Sequence, residues 1–239
     1  MPKYGILVDI SRCLGCKSCA LACKAENKLR EGVYWLRLED EVLSTSQGVQ
    51  RYVFPMACLH CGNPSCARVC PVGAISKEED GTVQRNPEKC VGCKFCISAC
   101  PFGQSRFDEK AQKAEKCNLC KDRQAKGEAP ACAVNCPTQA RLAISPDKLM
   151  DEAEKRLKEI KKLGLDYRLY SGEPVGGTQV VYLLPNGIDL KDSPQGKEIS
   201  STIGIWQNMV KPVAKVGLGG VVGAVAVAGI INNWKREEK

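Results

Sequence analysis

The chain has 239 residues, 44% of them hydrophobic, and a formal net charge of +8, which suits one sizeable globular domain or two small ones. It carries sixteen cysteines, yet a disulfide framework is set aside, because such frameworks belong to short secreted chains and Met1-Pro2-Lys3-Tyr4-Gly5-Ile6 shows no basic-then-apolar signal region. No aromatic-studded basic run accompanies the charge, so nucleic acid is not an expected partner.

Ile6-Leu7-Val8 reads as a short strand ahead of a first cysteine quartet, Cys13, Cys16, Cys19 and Cys23. Tyr52-Val53-Phe54 reads as another strand, ahead of Cys58, Cys61, Cys66 and Cys70. A third quartet, Cys90, Cys93, Cys96 and Cys100, and a fourth, Cys117, Cys120, Cys132 and Cys136, complete an internal repeat. Each quartet is C-x2-C, a third cysteine after a variable gap, then three residues to the fourth. Insertions of two and nine residues fall only between the second and third cysteines of the second and fourth quartets. Backbone between the strands is expected to be loop and single-turn helix, with bound metal supplying much of the folding free energy.

Three cysteines at C-x2-C-x2-C wrap three corners of an iron–sulfur cubane, and the fourth reaches a neighbouring cluster. That exchange is the rule of two-cluster bacterial ferredoxins, in which proline follows the fourth cysteine. Pro71, Pro101 and Pro137 obey it; Lys24 after Cys23 departs from it. Zinc, the alternative, normally takes two C-x2-C pairs across a longer loop. Nineteen residues, 71–89, separate the second and third quartets, with Pro71-Val72-Gly73-Ala74-Ile75 leading out of one and Cys100-Pro101-Phe102-Gly103 closing the other. They make one inner unit over 58–101, and the first and fourth quartets pair as an outer unit.

Four 4Fe-4S clusters are therefore expected. Cluster 1 is held by Cys13, Cys16, Cys19 and Cys136, and cluster 2 by Cys117, Cys120, Cys132 and Cys23. Cluster 3 is held by Cys58, Cys61, Cys66 and Cys100, and cluster 4 by Cys90, Cys93, Cys96 and Cys70. With thiolates included, each oxidised cluster carries about 2−, so four of them offset the formal +8 of the chain. The single histidine, His60, lies between Cys58 and Cys61, whose set is already complete; it is expected beside the cluster or facing solvent. Without a phosphate loop or an acid–base pair, the sequence presents no catalytic site of its own.

From Ser145 the composition changes. Ser145 is placed to cap a helix with Pro146 at its first position; Leu149, Ala153, Leu157 and Ile160 form its apolar stripe, and Gly164 stops it. Thr178–Leu184 reads as a strand, and Pro185–Lys197 as a polar linker. Val216–Ile231 is sixteen residues without a charge. A helix from Trp206 to Trp234 would rise about 42 Å, enough to cross a bilayer with a tryptophan at each interface and Lys215 snorkelling. Gly217, Gly219, Gly220, Gly223 and Gly229 would weaken a soluble helix but permit close packing in lipid, and Gly219 with Gly223 forms a small-xxx-small pair.

The quartet order, Cys117-Asn118-Leu119-Cys120 with Asp122-Arg123, Gly127 and Pro130-Ala131-Cys132, and the exit Cys136-Pro137-Thr138 resemble the four-cluster iron–sulfur (beta) subunits of membrane-bound molybdenum and tungsten oxidoreductases. Residues 4–145 carry that resemblance. The helix after Ser145, Gly176-Gly177-Thr178-Gln179-Val180-Val181-Tyr182, and Trp206–Lys215 further resemble the beta subunit of respiratory formate dehydrogenase, with a short N-terminus and a short tail as departures.

The resemblance implies an α+β fold of two pseudo-symmetric ferredoxin-like units over 1–145. A helix-strand docking segment and linker would occupy 146–200, and a transmembrane anchor with its tail 201–239. It implies a relay from a molybdopterin-containing catalytic subunit to a membrane cytochrome b and quinone. It also implies export with a signal-bearing partner to the outer face of the cytoplasmic membrane, with the anchor in the lipid bilayer. The same relay in a membrane-bound hydrogenase or another molybdenum reductase, and a soluble polyferredoxin, are the alternatives.

Overall fold

The computed structural model describes residues 4–45 and 48–190. Along the chain run β1 (Gly5–Asp9), α1 (Ser18–Glu26), β2 (Arg37–Thr45), β3 (Gly48–Met56), α2 (Ser65–Arg68), β4 (Ile75–Lys77), β5 (Val83–Arg85) and α3 (Phe95–Ser98). There follow β6 (Arg106–Asp108), β7 (Lys113–Glu115), α4 (Lys121–Ala125), α5 (Ala131–Val134), β8 (Arg141–Ile144), α6 (Leu149–Lys162), β9 (Tyr167–Tyr170) and β10 (Val180–Pro185).

β1 is inside a four-stranded sheet of order β8-β1-β10-β9. It pairs antiparallel with β8, Leu7 facing Leu142, and parallel with β10, Leu7 facing Val181; β9 closes the sheet antiparallel to β10. Ile6, Leu7 and Val8 are all fully buried, so β1 is a continuous apolar run rather than an alternating one, as befits a strand covered on both faces. α6 covers the sheet through Leu149, Ala153 and Ile160. A Cβ at Gly5 would stand 2.7 Å from Leu149 Cδ2, so this glycine lets the helix close on the strand. The other strands form three hairpins, β2–β3, β4–β5 and β6–β7, around the cysteine loops.

The helix expected from Ser145 begins later, at Leu149. Pro146 sits instead in a turn closed by Lys148 N–H donating to the Ser145 carbonyl at 3.0 Å. Gly164 ends the helix with a left-handed φ of 76°, as glycine past a C-cap does. Thr178 falls outside its expected strand, because its hydroxyl turns to the carbonyls of Ser171 and Val180 while its backbone bridges Cys61. The expected linker starts inside the core: Pro185 belongs to β10, and Ile188 and Leu190 are buried. The boundary expected at 145/146 does not divide the described fold, since β10 hydrogen-bonds directly to β1 and the described residues fall in one compact unit.

Among the described residues no helix is long and apolar enough to cross a membrane. The anchor expected over 201–239, with Trp206, Trp234 and its glycines, lies outside the described residues, as does the linker beyond residue 190.

The two extra residues of the second quartet have a structural partner. Gly62 N–H donates to Gly177 O at 2.7 Å and Asn63 N–H to Val175 O at 2.7 Å, docking this loop on the segment before β10. A Cβ on Gly62 would lie 1.9 Å from the Gly176 carbonyl oxygen, and two backbones cannot both yield. Gly62→Ala is therefore expected to cost about 3 kcal/mol and to lower the Tm of the loaded protein by about 6–12 °C, measured by anaerobic scanning calorimetry; an unchanged Tm would contradict this docking.

Candidate metal centres

The four quartets share one local geometry. The residue before the second cysteine is left-handed in each: Gly15 (φ 69°), His60 (φ 52°), Gly92 (φ 71°) and Leu119 (φ 56°). The third cysteine is the second residue of a helix in each: Cys19 in α1, Cys66 in α2, Cys96 in α3 and Cys132 in α5. A tight left-handed corner followed by a helical turn curls the backbone around its first three thiols. At Gly92 the corner also needs space, because a Cβ would lie 2.4 Å from Gln112 O. Backbone amides then point at thiol sulfur: Ala74 N–H at Cys70 (3.1 Å), Gln104 N–H at Cys100 (3.2 Å) and Leu119 N–H at Cys117 (3.3 Å).

The missing proline after Cys23 has a structural reason. α1 runs on to Glu26 where α2, α3 and α5 each stop after four residues, and a proline at position 24 would break it. Lys24 instead reaches across the next loop, donating to Arg30 O and to Val33 O at 3.1 Å while its ammonium stacks 4.4 Å above the Tyr34 ring. The nine extra residues of the fourth quartet build α4 and its loop. Arg123 there pairs with Glu26 at 3.0 Å and Glu128 at 3.2 Å, tying the insertion to the end of α1.

All sixteen cysteines are free thiols. Their electrostatic neighbours cross between quartets. Cys13 faces Cys136 and Cys16, and Cys19 faces Cys132, Cys13 and Cys136. Cys23 faces Cys132 and Cys120, and Cys117 faces Cys23, Cys120, Cys58 and Cys132. Cys61 stands with Cys58, Cys100 and Cys66, while Cys96 stands with Cys93, Cys90 and Cys70. The fourth cysteine of each quartet thus has cysteines of another quartet among its electrostatic neighbours. Burial, with the neighbouring thiols, pushes Cys19 up to about 11 and Cys23 and Cys96 up to about 12. Cys16 moves down instead, through hydrogen bonds from Ser18. Metal must displace these protons, so assembly couples proton release to folding.

Electrostatic proximity links the sets in sequence: Cys19 with Cys132, Cys117 with Cys58, and Cys66 with Cys96. It gives the order 1, 2, 3, 4. Cys16 in the first set and Cys93 in the last are the exposed thiols. Exposed apolar residues flank both, Leu14 and Leu21 near one, Val91 and Phe95 near the other.

The lining suits a cubane, whose sulfides accept hydrogen bonds. Among the described residues, two buried nitrogens next to the quartets have no hydrogen-bond partner, Arg141 Nε and His60 Nε2. His60 is buried rather than solvent-facing. Its Nδ1 accepts from Val83 N–H at 2.9 Å, so a neutral ring carries its proton on the unpartnered Nε2, where cluster sulfide would be a suitable acceptor. Burial and the nearby Lys116 hold its pKa well below the usual histidine range. Lys116 and Arg141 escaped the sequence reading; the only trace of either was a charge beside a quartet.

A repeated cysteine cage in a mixed α/β scaffold defines an iron–sulfur electron-transfer protein. Residues 49–144 and residues 12–74 each match a family described as 4Fe-4S dicluster domain. The chain is 32% identical to the formate dehydrogenase iron-sulfur subunit of Haemophilus influenzae, over 90% of this chain and 76% of that one. It is 33% identical to the formate dehydrogenase-O iron-sulfur subunit of Escherichia coli, over 91% and 80%. It is 38% identical to the B subunit of polysulfide reductase from Wolinella succinogenes, over 77% and 95%. The chain thus belongs to the family of four-cluster iron–sulfur subunits of molybdenum and tungsten oxidoreductases, and its cofactors are four 4Fe-4S clusters.

Proposed function

We propose that this chain relays electrons within a formate dehydrogenase, from a molybdopterin-containing catalytic subunit to a membrane cytochrome b and quinone. The observation that carries the reading is the breadth of similarity: two formate dehydrogenase subunits match about nine tenths of the chain, whereas the polysulfide reductase B subunit matches 77%. When bound, each cluster supplies one-electron exchange without proton or group transfer. The cysteines hold the four sites in the pairing given above, and the electrostatic proximity of Cys19 to Cys132, Cys117 to Cys58, and Cys66 to Cys96 supports the adjacency of successive sites. Exposed Cys16 and Cys93 belong to the first and last sites, so electrons enter at one and leave at the other. Cluster 4 is assigned to the quinone end.

Segment 201–239 is the single membrane-spanning helix in this reading, with residues 146–190 completing the cluster scaffold before it. The cluster-bearing part sits at the outer face of the cytoplasmic membrane, exported with a partner that carries the signal. The higher identity of the polysulfide reductase B subunit, 38%, favours a reductase relay as the second reading. Isolating the complex from membranes under anaerobic conditions separates the two. A co-purifying molybdopterin subunit and reduction of the clusters by formate are expected; clusters that stay oxidised with formate but are oxidised by polysulfide after dithionite reduction would overturn the formate reading.

A further inference from the structure

Among the described residues three cations are buried, Lys116, Arg141 and Arg156. Arg156 has acidic partners, Asp9 at 3.5 Å and Glu152 at 3.3 Å. Arg141 has none among the described residues, although it is only 2% exposed. Leaving a guanidinium buried without an anion is costly, and arginine cannot escape the cost by losing its proton. Its anion must come from elsewhere.

The geometry around Arg141 shows where. It opens β8, five residues after Cys136, and Nη1 donates to the Pro55 carbonyl at 2.9 Å, an oxygen that also accepts from Tyr182 O–H at 3.2 Å. This clamp fixes one edge of the guanidinium in the sheet. Nε is buried and has no hydrogen-bond partner among the described residues. The thiols that interact with the guanidinium include Cys132 and Cys23 of one cage and Cys19 and Cys13 of another.

We propose that Arg141 is the shared counter-cation of clusters 1 and 2, setting both reduction potentials from the junction between them. Each reduction adds one negative charge to a cluster, and a fixed cation in a low-dielectric interior stabilises that added charge. Because one guanidinium serves two sites, it raises both potentials together. The buried cation that interacts with Cys66 is a different one, Lys116, so we confine Arg141 to clusters 1 and 2. The inference rests on the ligand pairing used in the proposed function, but not on the donor or acceptor of the electrons.

The test is an anaerobic potentiometric titration of the purified complex, read by electron paramagnetic resonance and poised with dyes. Arg141→Gln keeps a donor for Pro55 and removes the charge; Arg141→Lys keeps the charge. In the Gln variant two of the four couples are expected to move together to lower potential, by about tenfold in reduced-to-oxidised ratio at fixed poise, or about 59 mV for a one-electron couple. The Lys variant should restore both towards the wild type. A fully loaded Gln variant with all four couples unmoved, or with all four moved alike, would overturn the proposal, as would a Lys variant that behaves like Gln.

If the Gln variant loses iron, the wild-type complex still decides the matter. With 15N-labelled arginine, pulsed resonance should detect an arginine nitrogen coupled to each of two reduced clusters, and absence of that coupling would overturn the proposal. Since dyes rather than formate set the poise, failure here is distinct from failure to co-purify with a formate-oxidising subunit.

Discussion

Replacing Cys70 with alanine is expected to strip the cluster held by Cys90, Cys93 and Cys96, and to leave the one held by Cys58, Cys61 and Cys66 in place. Cys70 closes the second quartet in sequence, but in space it is a neighbour of Cys96, whose other neighbours are Cys93 and Cys90. Cys100 makes the reciprocal move, standing beside Cys58 and Cys61. Iron content should fall by about a quarter, since one cubane of four is lost. Structural cost should be local, because Cys70 sits in a small cluster with Ala74, Ile75, Val83 and Cys96, apart from the main sheet core. Comparing the remaining resonance signals with those of Cys93→Ala and Cys61→Ala identifies which site has gone. Loss of the signal that Cys61→Ala loses, rather than the one that Cys93→Ala loses, would show that the exchange does not occur.

Truncation ahead of Trp206 is expected to separate cluster assembly from delivery to the membrane. All sixteen cysteines, the four-stranded sheet and α6 precede that cut, so the clusters should load and accept electrons from the catalytic partner, and activity with an artificial dye should persist. Quinone-linked turnover should fall on the order of tenfold or more, because a tether that holds the terminal cluster near its acceptor acts by effective concentration. The glycine-rich sequence of 216–231 suits packing on a partner helix. Membrane attachment and quinone turnover both unchanged after truncation would show that this segment is not an anchor.

What the sequence disclosed depended on the range of each signal. The quartets were legible because ligand spacing is local: three thiols on one corner and one helical turn need only a dozen residues, whatever surrounds them. The exchange of the fourth cysteine was legible through a known rule of two-cluster ferredoxins rather than through any propensity. The short apolar runs Ile6–Val8 and Tyr52–Phe54 marked β1 and β3, but their partners were hidden. β1 pairs in parallel with β10, Ile6 opposite Val180, and no local pattern reports a contact between residues so distant in sequence. Treating 146–200 as a separate docking segment and linker followed from that blindness.

Arg141 illustrates the same limit at the scale of one residue. In the run Ala140-Arg141-Leu142-Ala143-Ile144 it reads as an ordinary strand-edge charge, and its burial is imposed by β1 on one side and the Pro55 carbonyl on another. Lys116 behaves likewise: it is buried, donating to Val83 O and to Cys117 O at 2.7 Å, with no acidic partner among the described residues. The formal charge of +8 hinted that cations answer the clusters. Only the fold shows which cations stand close enough to do so.

The most direct measurement is anaerobic analysis of metal and acid-labile sulfide in the purified, folded, full-length protein. Four complete cages should hold about sixteen iron atoms and an equal amount of sulfide per chain, with zinc absent beyond trace. A folded preparation carrying stoichiometric zinc and no sulfide would contradict the cluster assignment, and with it the relay built upon it.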